Sequence, residues 1–275
     1  MQIQAEFPHS WIEKNPYRWL VYSAAGLILI AWLVLTPGGL LGKADAIAYA
    51  VCHRIAARSF TIGDRQLPLC ARCTGMYLGF LLGLSYQHFQ GRRGSIPVLR
   101  YALMFGPLVI LFGIDGLNSY LHFFPAAPSL YMPQNWLRLV TGTGMGLAIS
   151  AVLAPAFRQT VWTTWEQRPA FANLRQYGIL LGLAAIVDLA VLSGIPIILY
   201  PLALLSAAGV LVILGMVYTL VLVMLFKAEN RFQRLSSLNV YLIGGLVLAL
   251  LQIALLDAGR YWLTGTWQGF SILTG

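Results

Sequence analysis

Three cysteines are all the thiols this chain has, and they stand near one another along it. Cys70 and Cys73 form a Cys-x-x-Cys pair in QLPLCARCTGMYLG, where a long apolar run begins, and Cys52 directly precedes His53 in YAVCHRIAARSF. Backbone N–H groups at a helix start favour negative charge. That lowers a thiol pKa, and Arg72 between the two cysteines adds to the effect. A thiolate is both a metal ligand and a nucleophile, so two chemistries stay open. In the first, Cys52, Cys70 and Cys73 with one further ligand make a tetrahedral site suited to zinc. His53 is the nearest fourth ligand. Adjacent residues on a regular helix point about 100° apart, so Cys52 and His53 can share an ion only where the backbone leaves the helix; His122 and Asp115 are the other candidates. A c-type haem is disfavoured, because Thr74 rather than histidine follows the Cys-x-x-Cys. In the second chemistry, a Cys70–Cys73 disulfide exchanges with Cys52 or with a partner in an oxidising compartment. A plain structural staple, by metal or disulfide, would pin the first loop to the following helix without any reaction.

The elements that position these residues are read from composition. The 275 residues are 59% hydrophobic and 10% charged, against about 25% charged in a soluble domain. A membrane helix needs roughly 20 mostly apolar residues. Seven stretches qualify, at about 17–36, 69–88, 98–117, 136–156, 174–194, 200–226 and 238–257. The expected fold is therefore all-α, a polytopic transmembrane bundle of about seven helices forming one membrane domain over 1–275. The first run is expected to be an anchor rather than a cleaved signal, since its leader carries Glu6 and Glu13. Gly75, Gly79 and Gly83 in the second span, and Gly142 and Gly146 in the fourth, recur at the spacing that lets helix backbones approach.

The net charge of +9 is distributed as a membrane-orientation signal and not as a nucleic-acid surface. Lys14, Arg18, Arg92, Arg93, Arg100, Arg158, Arg168, Arg175, Lys227, Arg231 and Arg234 fall in the segment before the first span and in alternate loops, while the third and fifth loops hold no Lys or Arg. Basic short loops stay cytoplasmic, which puts the N-terminus inside, the C-terminus outside, and the cysteines at the extracytoplasmic face of a bacterial inner membrane or archaeal cytoplasmic membrane. The first loop breaks the alternation with Lys43, Arg54, Arg58 and Arg65, and Arg72 follows; these are expected to have a task other than topology. Asp115, Asn118, Asn135, Arg138, Asp188, Gln252 and Asp257 gather at the same outer level as the cysteines, with no comparable set at the inner ends. Charged groups inside spans are costly and usually pair. Asp115 and Arg138 are the expected ion pair, and Asp257 is expected to be solvated.

The stretch CHRIAARSFTIGDRQLPLCARCTGMYLG resembles the signature of the integral membrane proteins grouped as domain of unknown function 2085: Cys52, His53, Arg58, Ser59, Phe60, Gly63, Pro68, Cys70, Arg72, Cys73 and Gly75. DGLNSY and NWLRLVTGTGMG resemble it further, through Asp115, Asn118, Asn135, Arg138, Thr141 and Gly142. The resemblance covers about 45–150, a family-like core, with 151–275 as additional spans; it implies a membrane protein with a metal or thiol site and assigns no reaction. The expectation is a Cys52/His53/Cys70/Cys73 zinc site beside a pocket of Arg54, Arg58, Arg65, Arg72, Asn118, Asn135 and Arg138. The arginines suit an anionic group, a lipid headgroup included, and Asp115 is a possible base should a metal-bound water be activated. The alternatives are a membrane thiol–disulfide oxidoreductase using Cys70 and Cys73, and a non-catalytic subunit of a membrane complex.

Overall fold

The computed structural model describes residues 18–124 and 128–267. Glu6, Glu13 and Lys14, used above for orientation, lie outside the described residues. The elements are α1 (Arg18–Leu35), α2 (Leu40–Val51), β1 (Thr61–Ile62), β2 (Arg65–Gln66), α3 (Ala71–His88), β3 (Arg93–Ser95), α4 (Val98–Leu121), α5 (Asn135–Val161), β4 (Glu166–Pro169), α6 (Leu174–Leu192), α7 (Pro196–Leu225) and α8 (Leu235–Thr264). Each of the seven apolar stretches is a helix. Five helices are long and apolar enough to cross a membrane by themselves: Leu99–Leu121, α5, α6, α7 and α8. The α1–α2 pair, bent by 104°, makes a sixth if it counts as one broken span. The polar groups at both ends of α3 dilute its apolar run, and it is not among these.

α2 corrects the expectation of a plain first loop. Pro37, Gly38 and Gly39 stop α1, and LLGKADAIAYAV restarts the chain as helix. Lys43 on α2 turns back to donate from Nζ to the carbonyl and the hydroxyl of Thr36, both at 2.9 Å. It thus serves carbonyls that α1 leaves without intrahelical partners. The small β pairs fix loops: β1 and β2 are an antiparallel hairpin inside the cysteine loop, and β3 pairs in parallel with β4.

Glycines bring α3 and α5 together as their spacing predicts. A Cβ on Gly75 would overlap the Leu139 carbonyl, one on Gly79 the Thr143 carbonyl, and one on Gly142 or Gly146 the carbonyl of Arg72 or Met76. These contacts run in the same order along both helices, so α3 and α5 are parallel. Cross-contacts give the rest of the alternation. The starts of α3 and α5 meet the end of α4 around Asp115. Leu139 clusters with Val191 at the end of α6 and Leu199 at the start of α7, and Arg260 near the end of α8 bonds to the Cys52 carbonyl. The opposite ends meet through Tyr86 and Gln176 and through Trp162 and Phe232.

That opposite end overturns one expectation. It does hold a buried polar set: Arg158 donates to the carbonyls of Gln87 and Arg93, both at 2.9 Å, and Gln87 Nε2 donates to the Ser150 carbonyl at 2.8 Å. The guanidinium satisfies carbonyls exposed where α3 ends and the chain turns, a need of helix termini that carries no sequence motif.

Candidate metal and anion site

The cysteine loop is folded by its own polar groups. α2 ends at Val51, and Cys52 is extended, with φ −130° and ψ 141°. Arg54 then takes a left-handed φ of 53°, which turns its backbone N–H onto Cys52 Sγ at 3.5 Å. Gln66 Nε2 donates to the Arg54 carbonyl at 3.0 Å and to Ser59 Oγ at 2.8 Å. Leu67 and Leu69 are buried, and the chain re-enters helix with Cys70 as N-cap. The Cys70 N–H points at Cys52 Sγ, 3.4 Å away.

The three sulfurs lie within 4.8 Å of one another. All three thiols are free; Cys52 and Cys70 are buried and Cys73 is half-buried. Hydrogen bonds from Cys70 and Cys73 hold the Cys52 thiol well below the usual thiol range. The group can hold a metal ion. His53 is not in the sulfur group at that spacing. Its Nε2 is buried without a hydrogen-bond partner. Burial lowers its pKa, and the Cys52 charge opposes that.

Beside the sulfurs, Asp115 is buried and bound by Arg72 through both Nε, at 3.2 Å, and a guanidinium NH2. Tyr131 Oη donates to its other oxygen at 3.0 Å. The expected Asp115–Arg138 pair is thus replaced by Asp115–Arg72, because Arg138 instead donates to Asn135 Oδ1 at 2.8 Å. Asn135 Nδ2 reaches the Ala57 carbonyl at 3.2 Å. Arg58 donates to the Ser119 carbonyl at 3.1 Å and lies 3.7 Å from the Phe123 ring centroid. Burial, then the charges of Arg138 and Arg72, pull Arg58 down to about 10. Asn118 holds the α4–α5 loop, donating to the Tyr131 carbonyl and accepting from Leu130 N.

Other expected members stand apart. Arg54 and Arg65 share the carboxylate of Asp45 at 2.9 and 2.8 Å. Asp188 accepts from Thr143 at 2.6 Å, and Gln252 from Tyr218 at 2.9 Å. Asp257, expected to be solvated, is buried, because the last turns of α8 pack against α1 and α2. Sequence reasoning passed over Ser119, Tyr131 and Arg260. Arg260 donates to the carbonyls of Tyr49 at 2.6 Å and Cys52 at 2.5 Å, anchoring the loop's entry; its place at the end of an apolar run was the available signal.

A profile of the family described as "Predicted membrane protein (DUF2085)" matches residues 52–152, the segment from Cys52 past Arg138. An uncharacterized protein of Methanothermobacter thermautotrophicus is 32% identical over 101 residues, 36% of this chain and 82% of that one. The uncharacterized protein MJ1492 of Methanocaldococcus jannaschii is 27% identical over 123 residues, 44% of this chain and 72% of its own length. No solved structure matches. With its sulfur cluster and apolar helices, the chain is a multi-pass membrane protein and belongs to the DUF2085 family of predicted membrane proteins.

Proposed function

We propose that Cys52, Cys70 and Cys73 hold one zinc ion at the extracytoplasmic end of a seven-crossing bundle, and that Arg58, Arg138 and Asn135 receive an anionic group beside it. The observation that carries this is the convergence of three sulfurs from two separate segments to within 4.8 Å. A tetrahedral zinc–thiolate centre, with Zn–S about 2.3 Å, needs sulfurs about 3.8 Å apart. The N–H groups of Arg54 and Cys70 on Cys52 Sγ are the outer contacts that tune such a ligand. His53, whose buried Nε2 has no partner, is the proposed fourth ligand; it would have to turn toward the sulfurs, because the extended backbone at Cys52 directs neighbouring side chains to opposite sides. The metal, if left an open position, would act as a Lewis acid on a bound oxygen. Asp115 positions Arg72 rather than acting as a base, since both of its oxygens already accept hydrogen bonds.

The anion reading follows from charge. Burial, then the charges of Arg138 and Arg72, lower the Arg58 pKa, while Asp115 is bonded to Arg72; a phosphate or carboxylate, free or on a lipid, would offset the cationic excess of the cluster. The outward orientation is supported by the alternating helix directions and by the loop charges, and the 45–150 core by the family match over residues 52–152.

Elemental analysis of the detergent-purified chain, with thiols counted before and after denaturation, tests the centre. About one zinc per chain, with three thiols titrating only after chelation, is the expected outcome. A reducible Cys70–Cys73 bond without metal would replace this reading by thiol–disulfide exchange, which the close, free sulfurs also permit.

A further inference from the structure

Arg100 has no task in the metal site. It lines an open crevice of about 700 Å3 between the starts of α4 and α6. Leu99, Leu103 and Met104 form one wall, and Ala172, Asn173 and Leu174 the other. The walls are tied at two depths. Arg100 Nη1 donates to the Ala172 carbonyl at 2.6 Å, and one turn further in Tyr177 Oη donates to the Met104 carbonyl. Arg100 is exposed, and its bond to Ala172 uses one of the five N–H donors of a guanidinium. Arg175, also exposed, follows Leu174 in the chain. Among the described residues that line the crevice none is acidic.

The crevice changes character along the bundle. Two of the membrane-length helices begin their apolar spans at its mouth, at Leu99 and at Leu174, which sets Arg100 and Asn173 at the level of lipid headgroups. Leu103 and Met104 lie one helical turn deeper along α4, where acyl chains start. Leu99, Leu103 and Leu174 are exposed on the outer surface. A cation at the mouth above apolar walls is complementary to an amphipathic anion. A free phosphate leaves the leucines uncovered, and a zwitterionic lipid brings a second cation to a place that already has one. Arginine stays charged at any working pH, so the choice of ligand rests on no titration. We propose that the α4–α6 crevice binds an anionic phospholipid, its phosphate on Arg100 and an acyl chain past Leu103. Basic pockets between membrane helices hold acidic headgroups in this way. The site lies at the end of the bundle away from the sulfurs, so it is independent of the zinc reading and of which leaflet that end faces.

The test uses the full chain in nanodiscs of phosphatidylcholine and a phosphatidylglycerol that carries a diazirine on one acyl chain, with labelled peptides mapped by mass spectrometry. Saturable labelling at the starts of α4 and α6, displaced by unlabelled phosphatidylglycerol, is expected. Arg100→Gln should weaken it about fivefold, the factor for one basic residue at a membrane surface. Arg231→Gln, which removes an exposed charge from the α7–α8 connection at the same end, should leave it unchanged. A monodisperse elution profile establishes that each variant folds; if Arg100→Gln fails that check, the competition series decides. Equal competition by added phosphatidylcholine would assign the crevice to an acyl chain alone, and equal competition by inorganic phosphate to a free anion. Loss of labelling when two chains share a nanodisc would assign it to a second copy. Each of these outcomes, or an equal effect of Arg231→Gln, would overturn the proposal.

Discussion

Asp115 collects donors from three parts of the chain: Arg72 on α3, Tyr131 in the α4–α5 loop, and Thr141 on α5 at 3.5 Å. Its side chain is 1% exposed and that of Arg72 is 18% exposed, so water does little to replace one partner when the other is removed. A buried carboxylate is tolerable only while donors surround it, and removing one partner of such a pair strands the other. Asp115→Asn keeps the shape, removes the charge and turns an amide toward the guanidinium. It should cost about 2–4 kcal/mol, read as a lowered unfolding midpoint in detergent. Thr141→Ala, which loses the long contact to Asp115 and a local bond to the Leu137 carbonyl of its own helix, should stay within about 1 kcal/mol. Equal effects of the two changes would show that the Arg72 pair contributes no more than an ordinary hydrogen bond. The exchange of partners, Arg72 for Arg138, also marks what spacing cannot tell. Both arginines lie at the right level, and the choice depends on helix rotation: the Gly75–Leu139 and Gly142–Arg72 contacts set α3 against α5, with Arg72 turned to α4.

At the scale of elements, the cysteine site is a consequence of α3–α5 packing and of one loop's return. The repeat of small residues was legible because period-four glycine on an apolar helix has few uses besides close approach. The helices at the apolar stretches were legible because apolar length is a direct demand of the bilayer, and five of them are long and apolar enough to cross it alone. The α2 helix was not: at 12 residues it is too short to register as a span, and Pro37–Gly39 read as the opening of a loop. The convergence of Cys52 on Cys70 was legible only as a possibility, since the positive φ at Arg54 and the Gln66 staple that produce it belong to no motif. If the packing positions the thiols, widening it must disturb the metal. Gly79→Ala places a methyl into the Thr143 carbonyl and should cost about 1–3 kcal/mol by overpacking, with zinc content falling alongside the unfolding midpoint. Gly178→Ala on α6, with nothing within 4 Å of the new methyl, should leave both unchanged. Full zinc occupancy in a destabilised Gly79→Ala chain would separate the site from the helix packing.

For the whole molecule, the contacts at the two ends divide the loops into two sets. The cysteine loop, the α4–α5 loop and the α6–α7 turn share one end; the α3–α4, α5–α6 and α7–α8 connections share the other. Arg92, Arg93, Arg168, Arg231 and Arg234 lie in the second set, so the positive-inside rule and the packing divide the loops in the same way. The basic residues of the cysteine loop depart from that division but have packing tasks: Arg54 and Arg65 share the one carboxylate of Asp45, and Lys43 serves the end of α1. Single cysteines introduced at two exposed positions test the orientation directly. Ser129→Cys in the α4–α5 loop should react with a membrane-impermeant maleimide on intact cells, above the background of the parent chain. Ser236→Cys at the start of α8 should react only after permeabilisation. The reverse pattern would move the sulfur cluster to the cytoplasm. There thiols stay reduced, so the zinc reading would survive, while the disulfide reading would lose the oxidising compartment it requires.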